Sequence, residues 1–139
     1  MSVEQNKATL KRMYEEVWNT GDISKVSELA SPDYEYGDYK GPEGWGQVIT
    51  LVRSAFPDLH YTIEQVIGEG DTLAYRLTGE GTHQGTYYTL APTGKKIKWT
   101  QWLFSNFKDG KLLNTIAIAD MLSMLQQMGY LPPTEEIGK

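Results

Sequence analysis

The sequence predicts one α+β domain: a curved antiparallel sheet wrapped on helices, forming a conical barrel with an internal pocket. Three observations predict it. Apolar residues recur at helical spacing up to Phe56 and again from Met121 to Met128. Between them, from His60 to Ala119, the period is two, with turn signals between the runs. Helices and strands are therefore segregated rather than alternating. The chain of 139 residues has no repeat and no linker, so residues 1–139 read as a single domain. Its core is expected over about 6–129, with 130–139 frayed.

The elements follow in order. Ser2 and Gln5 have capping-box spacing, and Leu10, Met13, Tyr14, Val17 and Trp18 form one helical stripe stopped by Gly21. Asp22 is a cap for a shorter helix with the face Ile23, Val26, Leu29 and Ala30, ended by Ser31-Pro32. Tyr34 and Tyr36 alternate in an extended stretch. Pro42 and Glu43 suit the first turn of a third helix, whose face is Trp45, Val48, Ile49, Val52 and Phe56. Tyr61, Ile63 and Ile67 share one strand phase. Beyond a turn at Gly70-Asp71, Leu73, Tyr75 and Leu77 share another, which brings His83 to the apolar side. Ile97, Trp99, Gln101 and Leu103 share a phase, and Trp102 with Phe104 make the opposite face apolar too. Asp109-Gly110 is a two-residue hairpin signal. Leu112, Ile116, Ile118 and Asp120 are expected on one face, and a last helix runs from Met121 to a stop at Gly129.

Composition excludes several classes. There is no cysteine, hence no disulfide framework and no thiolate metal site. Two histidines and no cysteine do not build a convincing metal centre. Acidic residues outnumber basic ones, 18 to 13, and the densest basic cluster is only Lys95, Lys96 and Lys98, so nucleic acid is not an expected partner. No apolar run spans a bilayer and no apolar signal core opens the chain; a soluble, cytoplasmic protein is expected. Nine tyrosines and four tryptophans suit a ligand pocket or an interface.

The stretch from NKATLKRMYEEVWNTGDISKVSELASPDY through GPEG, AFPDL, GEGD, GTHQG, PTGKKIKW and FKDGKL to D-x-L-x-x-L-Q-Q-x-G resembles the SnoaL-like polyketide cyclase family, part of the nuclear-transport-factor-2-like superfamily. The resemblance covers about Asn6 to Gly129. It implies cofactor-independent ring closure of a polyketide carbonyl compound. In that family an aspartate at the start of the last helix serves as acid and base, and the matching residue is Asp120. The GTH histidine that faces the cavity in relatives matches His83. Relatives often carry a histidine-aspartate pair where this chain has Gly37-Asp38. They carry tryptophan where it has Ile116, and arginine where it has Asn106, so its pocket is less charged.

The residues themselves leave two roles open for Asp120. A carboxyl group buried among apolar neighbours has a raised pKa and can move protons. Aspartate before an apolar-periodic helix is equally a cap. His83 either polarises a substrate carbonyl or bonds a loop. Tyr36 is a candidate neutral donor to developing negative charge. Trp45, Tyr75, Trp99 and Ile118 are candidate walls, and Gln101 needs partners, from a ligand or across a dimer. The expected function is acid/base ring closure or isomerisation of a small, mostly apolar carbonyl compound. The alternatives are ligand binding without turnover and epoxide opening, for which Glu80 and Arg76 supply the charged pair. A homodimer through the sheet face carrying Trp102 and Phe104 is also expected.

Overall fold

The computed structural model describes residues 2–139. Helix α1 (Val3–Arg12) starts at a complete capping box: the Ser2 hydroxyl accepts from the Gln5 N–H, and the Gln5 amide accepts from the Ser2 N–H. It continues as a π-helical segment, Met13–Trp18, which sets Tyr14 and Trp18 in a stack with centroids 6.3 Å apart. A 3₁₀ turn capped by the Asp22 side chain leads into α2 (Val26–Leu29). Strands β1 (Ala30–Tyr36) and β2 (Tyr39–Lys40) form a short hairpin. Then follow α3 (Gly41–Ala55), β3 (His60–Glu69), β4 (Thr72–Thr82), β5 (Lys96–Lys108), β6 (Lys111–Ala119) and α4 (Met121–Met128). The tail is exposed but carries a 3₁₀ turn, Thr134–Glu136, tied back by Gln126 Nε2.

The α+β class holds, with one refinement. The six strands form an open, mixed sheet in the order β2-β1-β6-β5-β4-β3. It is not fully antiparallel, because β1 runs parallel to β6. The helices cover its inner face, where Leu73, Leu77, Ile97, Trp99, Leu103 and Phe107 pack against Tyr14, Trp18, Trp45 and Ile49. The outer face is bare. Ile67, Trp102, Phe104, Ile116 and Ile118 each keep half or more of their surface exposed. Thus β5 is covered on one side only.

Two bulges change the expected strand phases. In β3, Ile63 pairs with Leu77 and Gln65 with Arg76, so Glu64 is an extra residue. Tyr61 faces inward, but beyond the bulge Val66 packs on the core and Ile67 turns out. In β6, Leu112 pairs with Phe107 and Asn114 with Asn106, so Leu113 is extra. Leu112 is buried, yet Ile116 and Ile118 are 67% and 71% exposed. They do not share its face, because one inserted residue flips every side chain beyond it. The inward set is instead Thr115, Ala117 and Ala119. The local stops stand as expected: Gly129 is left-handed, and Asp109 and Gly110 both have positive φ, as a primed hairpin turn requires.

Candidate functional site

Between the inner face of the sheet and the helices lies a cavity of about 350 Å³. Tyr14 and Trp18 of the π-helical segment and Trp45, Val48 and Val52 of α3 make one wall. Gln101 and Leu103 of β5 with Thr115, Ala117 and Ala119 of β6 make the other. The small side chains of β6 create the space. Tyr36, Tyr61, Tyr87, Tyr88 and Met121 complete the lining, and Ile118 borders it from the outer face. Every one of these side chains is uncharged. Burial pushes the Tyr36 phenol up, with Tyr88 and Tyr39 acting in the same direction, so it stays a neutral donor.

Gln101 is the most constrained polar group in the lining. The Tyr61 hydroxyl donates to its Oε1 at 2.9 Å, and the Trp99 indole N–H donates to the same oxygen at 2.8 Å. An indole N–H only donates, so the amide cannot be flipped. Its nitrogen is therefore directed away from both rings, and among the described residues no acceptor meets it. The indole nitrogens of Trp18 and Trp45 are fully buried, and among the described residues no acceptor meets them.

The other expected site residues lie outside this lining. Asp120 is the N-cap of α4: its Oδ1 accepts from the Ser123 N–H at 3.0 Å. It is half-buried and sits between Ala119 and Met121, which do line the cavity. His83 is fully buried below a loop. Its Nδ1 lies 3.1 Å from Thr93 Oγ1, its ring packs on Phe56, and its Nε2 has no partner. Burial lowers its pKa, which keeps the ring neutral. Asp120 and His83 are thus not brought together in the cavity. Tyr75 and Trp99 are core residues behind the wall, Trp99 acting on the site through Gln101. Glu80 and Arg76 lie beside open grooves elsewhere on the sheet. Among the described residues no group of three His, Cys, Asp or Glu side chains is placed to hold a metal ion.

Periodicity put Tyr14 and Trp18 in the core stripe without marking them as cavity walls, and the Leu113 bulge hid Thr115, Ala117 and Ala119. Tyr87 and Tyr88 lie in a loop with no periodic signal.

The sequence profile of the SnoaL-like polyketide cyclase family matches residues 8–128. The chain belongs to that family. Solved structures share the fold. TsrD from Streptomyces laurentii superposes with a TM-score of 0.87 at 21% identity, covering 94% of this chain and 99% of that one. IdmH from Streptomyces antibioticus, a proposed polyketide cyclase, gives 0.76 at 28% identity over 90% and 99%. AclR from Streptomyces galilaeus, a proposed hydroxylase, gives 0.79 at 29% identity over 94% and 85%. No functionally curated protein matches the sequence.

Proposed function

We propose that this SnoaL-like chain takes a neutral, flat, mostly apolar carbonyl compound into the cavity and promotes its ring closure or isomerisation. The observation that carries the reading is the Gln101 amide. Its oxygen is taken by Tyr61 and Trp99, and its nitrogen has no acceptor among the described residues, so a ligand carbonyl in the cavity that Gln101 lines would supply one. The lining supplies no counter-charge, so an anionic ligand would lose its hydration without compensation. Aromatic walls suit a conjugated ring system, and confinement of a flexible chain beside a polarised carbonyl is itself a large part of ring-closing catalysis. Asp120 is the carboxylate next to the lining, and one of its oxygens is not used by the cap. We assign it proton transfer at the edge of the cavity. No cofactor is invoked.

A second reading, binding without turnover, is favoured by the cap geometry, since Asp120 already has a structural task. One experiment separates the two. Asp120→Asn keeps a good cap and removes the titrating group. The wild-type protein and this variant are incubated with a linear aromatic poly-β-keto ester, and products are followed by chromatography. Loss of ring-closed product with unchanged ligand affinity supports catalysis. Equal product from both proteins removes Asp120 from the chemistry, and binding without turnover by wild type supports the second reading.

We also propose that the bare outer sheet face pairs with a second copy. Trp102, Phe104, Ile116 and Ile118 form a contiguous apolar surface on β5 and β6, and among the residues lining its groove only Arg76 is charged.

A further inference from the structure

Beneath the cavity floor runs a chain of buried hydroxyl groups. Tyr34 donates to Thr115 Oγ1 at 3.1 Å, Thr115 Oγ1 lies 3.4 Å from Ser105 Oγ, and Ser105 Oγ lies 2.7 Å from the Tyr75 hydroxyl. Tyr34, Ser105, Tyr75 and Thr115 are all buried, and of these Thr115 lines the cavity. We infer that Thr115 is a second polar contact for the ligand, and that the hydroxyl chain behind it lets it act either as donor or as acceptor.

Tyr34 gives its proton to Thr115, so the Thr115 proton goes elsewhere. The contacts from Thr115 to Ser105 and from Ser105 to Tyr75 allow either direction. When Tyr75 donates to Ser105 and Ser105 to Thr115, the Thr115 hydroxyl proton is free for a ligand oxygen. When the sequence reverses, Thr115 donates to Ser105, and a lone pair faces the ligand. The surplus proton then sits at Tyr75, beside the cavity-lining Tyr14. No ionisation is needed. Burial holds the Tyr75 phenol up at about 12, and pushes those of Tyr34 and Tyr14 up as well.

This inference rests on the proposed function and narrows its substrate. Gln101 offers only a donor, whereas Thr115 serves a carbonyl or a hydroxyl. In the sheet Gln101 pairs with Ala119, and Thr115 lies four positions back along β6 on the same face, a backbone offset of roughly 13 Å. The ligand that meets both is elongated, with a carbonyl at one end and a ketone, phenol or enol at the other. Keto and enol forms of that distal group are accepted alike, as ring closure and aromatisation of a polyketide would require.

Two probes test it: 6-acetyl-2-naphthol, whose distal oxygen donates, and 6-methoxy-2-acetylnaphthalene, whose distal oxygen only accepts. Binding is followed by quenching of tryptophan fluorescence in wild type, Thr115→Val, Ser105→Ala and Gln101→Glu at pH 8. Thr115→Val is expected to weaken both probes. Ser105→Ala is expected to weaken the naphthol by roughly ten- to a hundredfold, because Thr115 loses the acceptor for its own proton, and to leave the methoxy probe within about twofold. A merely structural role of Ser105 would weaken both probes equally, and that result overturns the inference. So does a silent Thr115→Val, and if Gln101→Glu still loses affinity in that case, the cavity reading itself survives. Failure of wild type to bind either probe overturns both.

Discussion

Gly79 lies in β4 directly behind the groups that fix Gln101. A methyl group placed on it falls 2.5 Å from Trp99 Cε2, 2.6 Å from Trp99 Cζ2 and 2.7 Å from Tyr61 Cε1. Both rings are almost wholly buried, so neither can swing into solvent. Gly79→Ala therefore overpacks a filled site, which costs about 1–3 kcal/mol. The same two rings donate to Gln101 Oε1. Displacing either leaves a buried donor unpaired, for a further ~1–3 kcal/mol. The expected loss is roughly 2–6 kcal/mol, a large part of the total stability of a domain of this size. Urea unfolding followed by tryptophan fluorescence measures it, with an unchanged slope m as the sign that only stability has moved. In a Trp99→Leu background the same substitution should cost at least about 1 kcal/mol less, since the crowded ring is gone. A loss under about 0.5 kcal/mol in the wild-type background, or no coupling to Trp99, would refute the claim that this glycine exists to seat the two rings.

Three further outcomes are expected. Asp120→Ala should lower stability by about 1 kcal/mol through loss of the cap, and Asp120→Asn by much less, both read by denaturant titration. His83 has a depressed pKa in the folded state, so its neutral form is compatible with folding down to the unfolded value near 6.5 and protonation opposes folding below it. Stability should fall as pH drops from about 6.5, and more steeply in wild type than in His83→Leu; equal slopes in thermal scans would contradict this. Phe104→Glu places a charge on the bare sheet face and should shift the protein to a single copy in sedimentation analysis. No change in sedimentation would remove that face from the proposed dimer.

Much of the fold was legible because its signals are local. The Ser2–Gln5 capping box, the Asp22 and Asp120 caps, the Asp109-Gly110 turn and the Gly129 stop each depend on a few adjacent residues, and each forms where the sequence places it. The site was only partly legible. Of the six candidate substrate contacts, Tyr36, Trp45, Gln101 and Ile118 line the cavity, whereas Tyr75 and Trp99 lie behind it. Thr115, Ala117 and Ala119 were missed, because strict alternation cannot register the extra residue at Leu113. Nor does spacing show which of two partners a buried amide will take. Gln101 finds Tyr61 and Trp99 within its own chain rather than across an interface.

The sequence by itself determined the class of fold and the order of the elements. Those follow from periodicity, from turn chemistry and from which residue types are present at all. Only the tertiary structure decided which strand face turns inward beyond each bulge, that Asp120 and His83 are not brought together in the cavity, and that the Gln101 oxygen is taken by Tyr61 and Trp99. Those depend on register and on hydrogen bonds between residues distant in the chain. They are settled by packing the sheet against the helices as a whole, not by any stretch read alone.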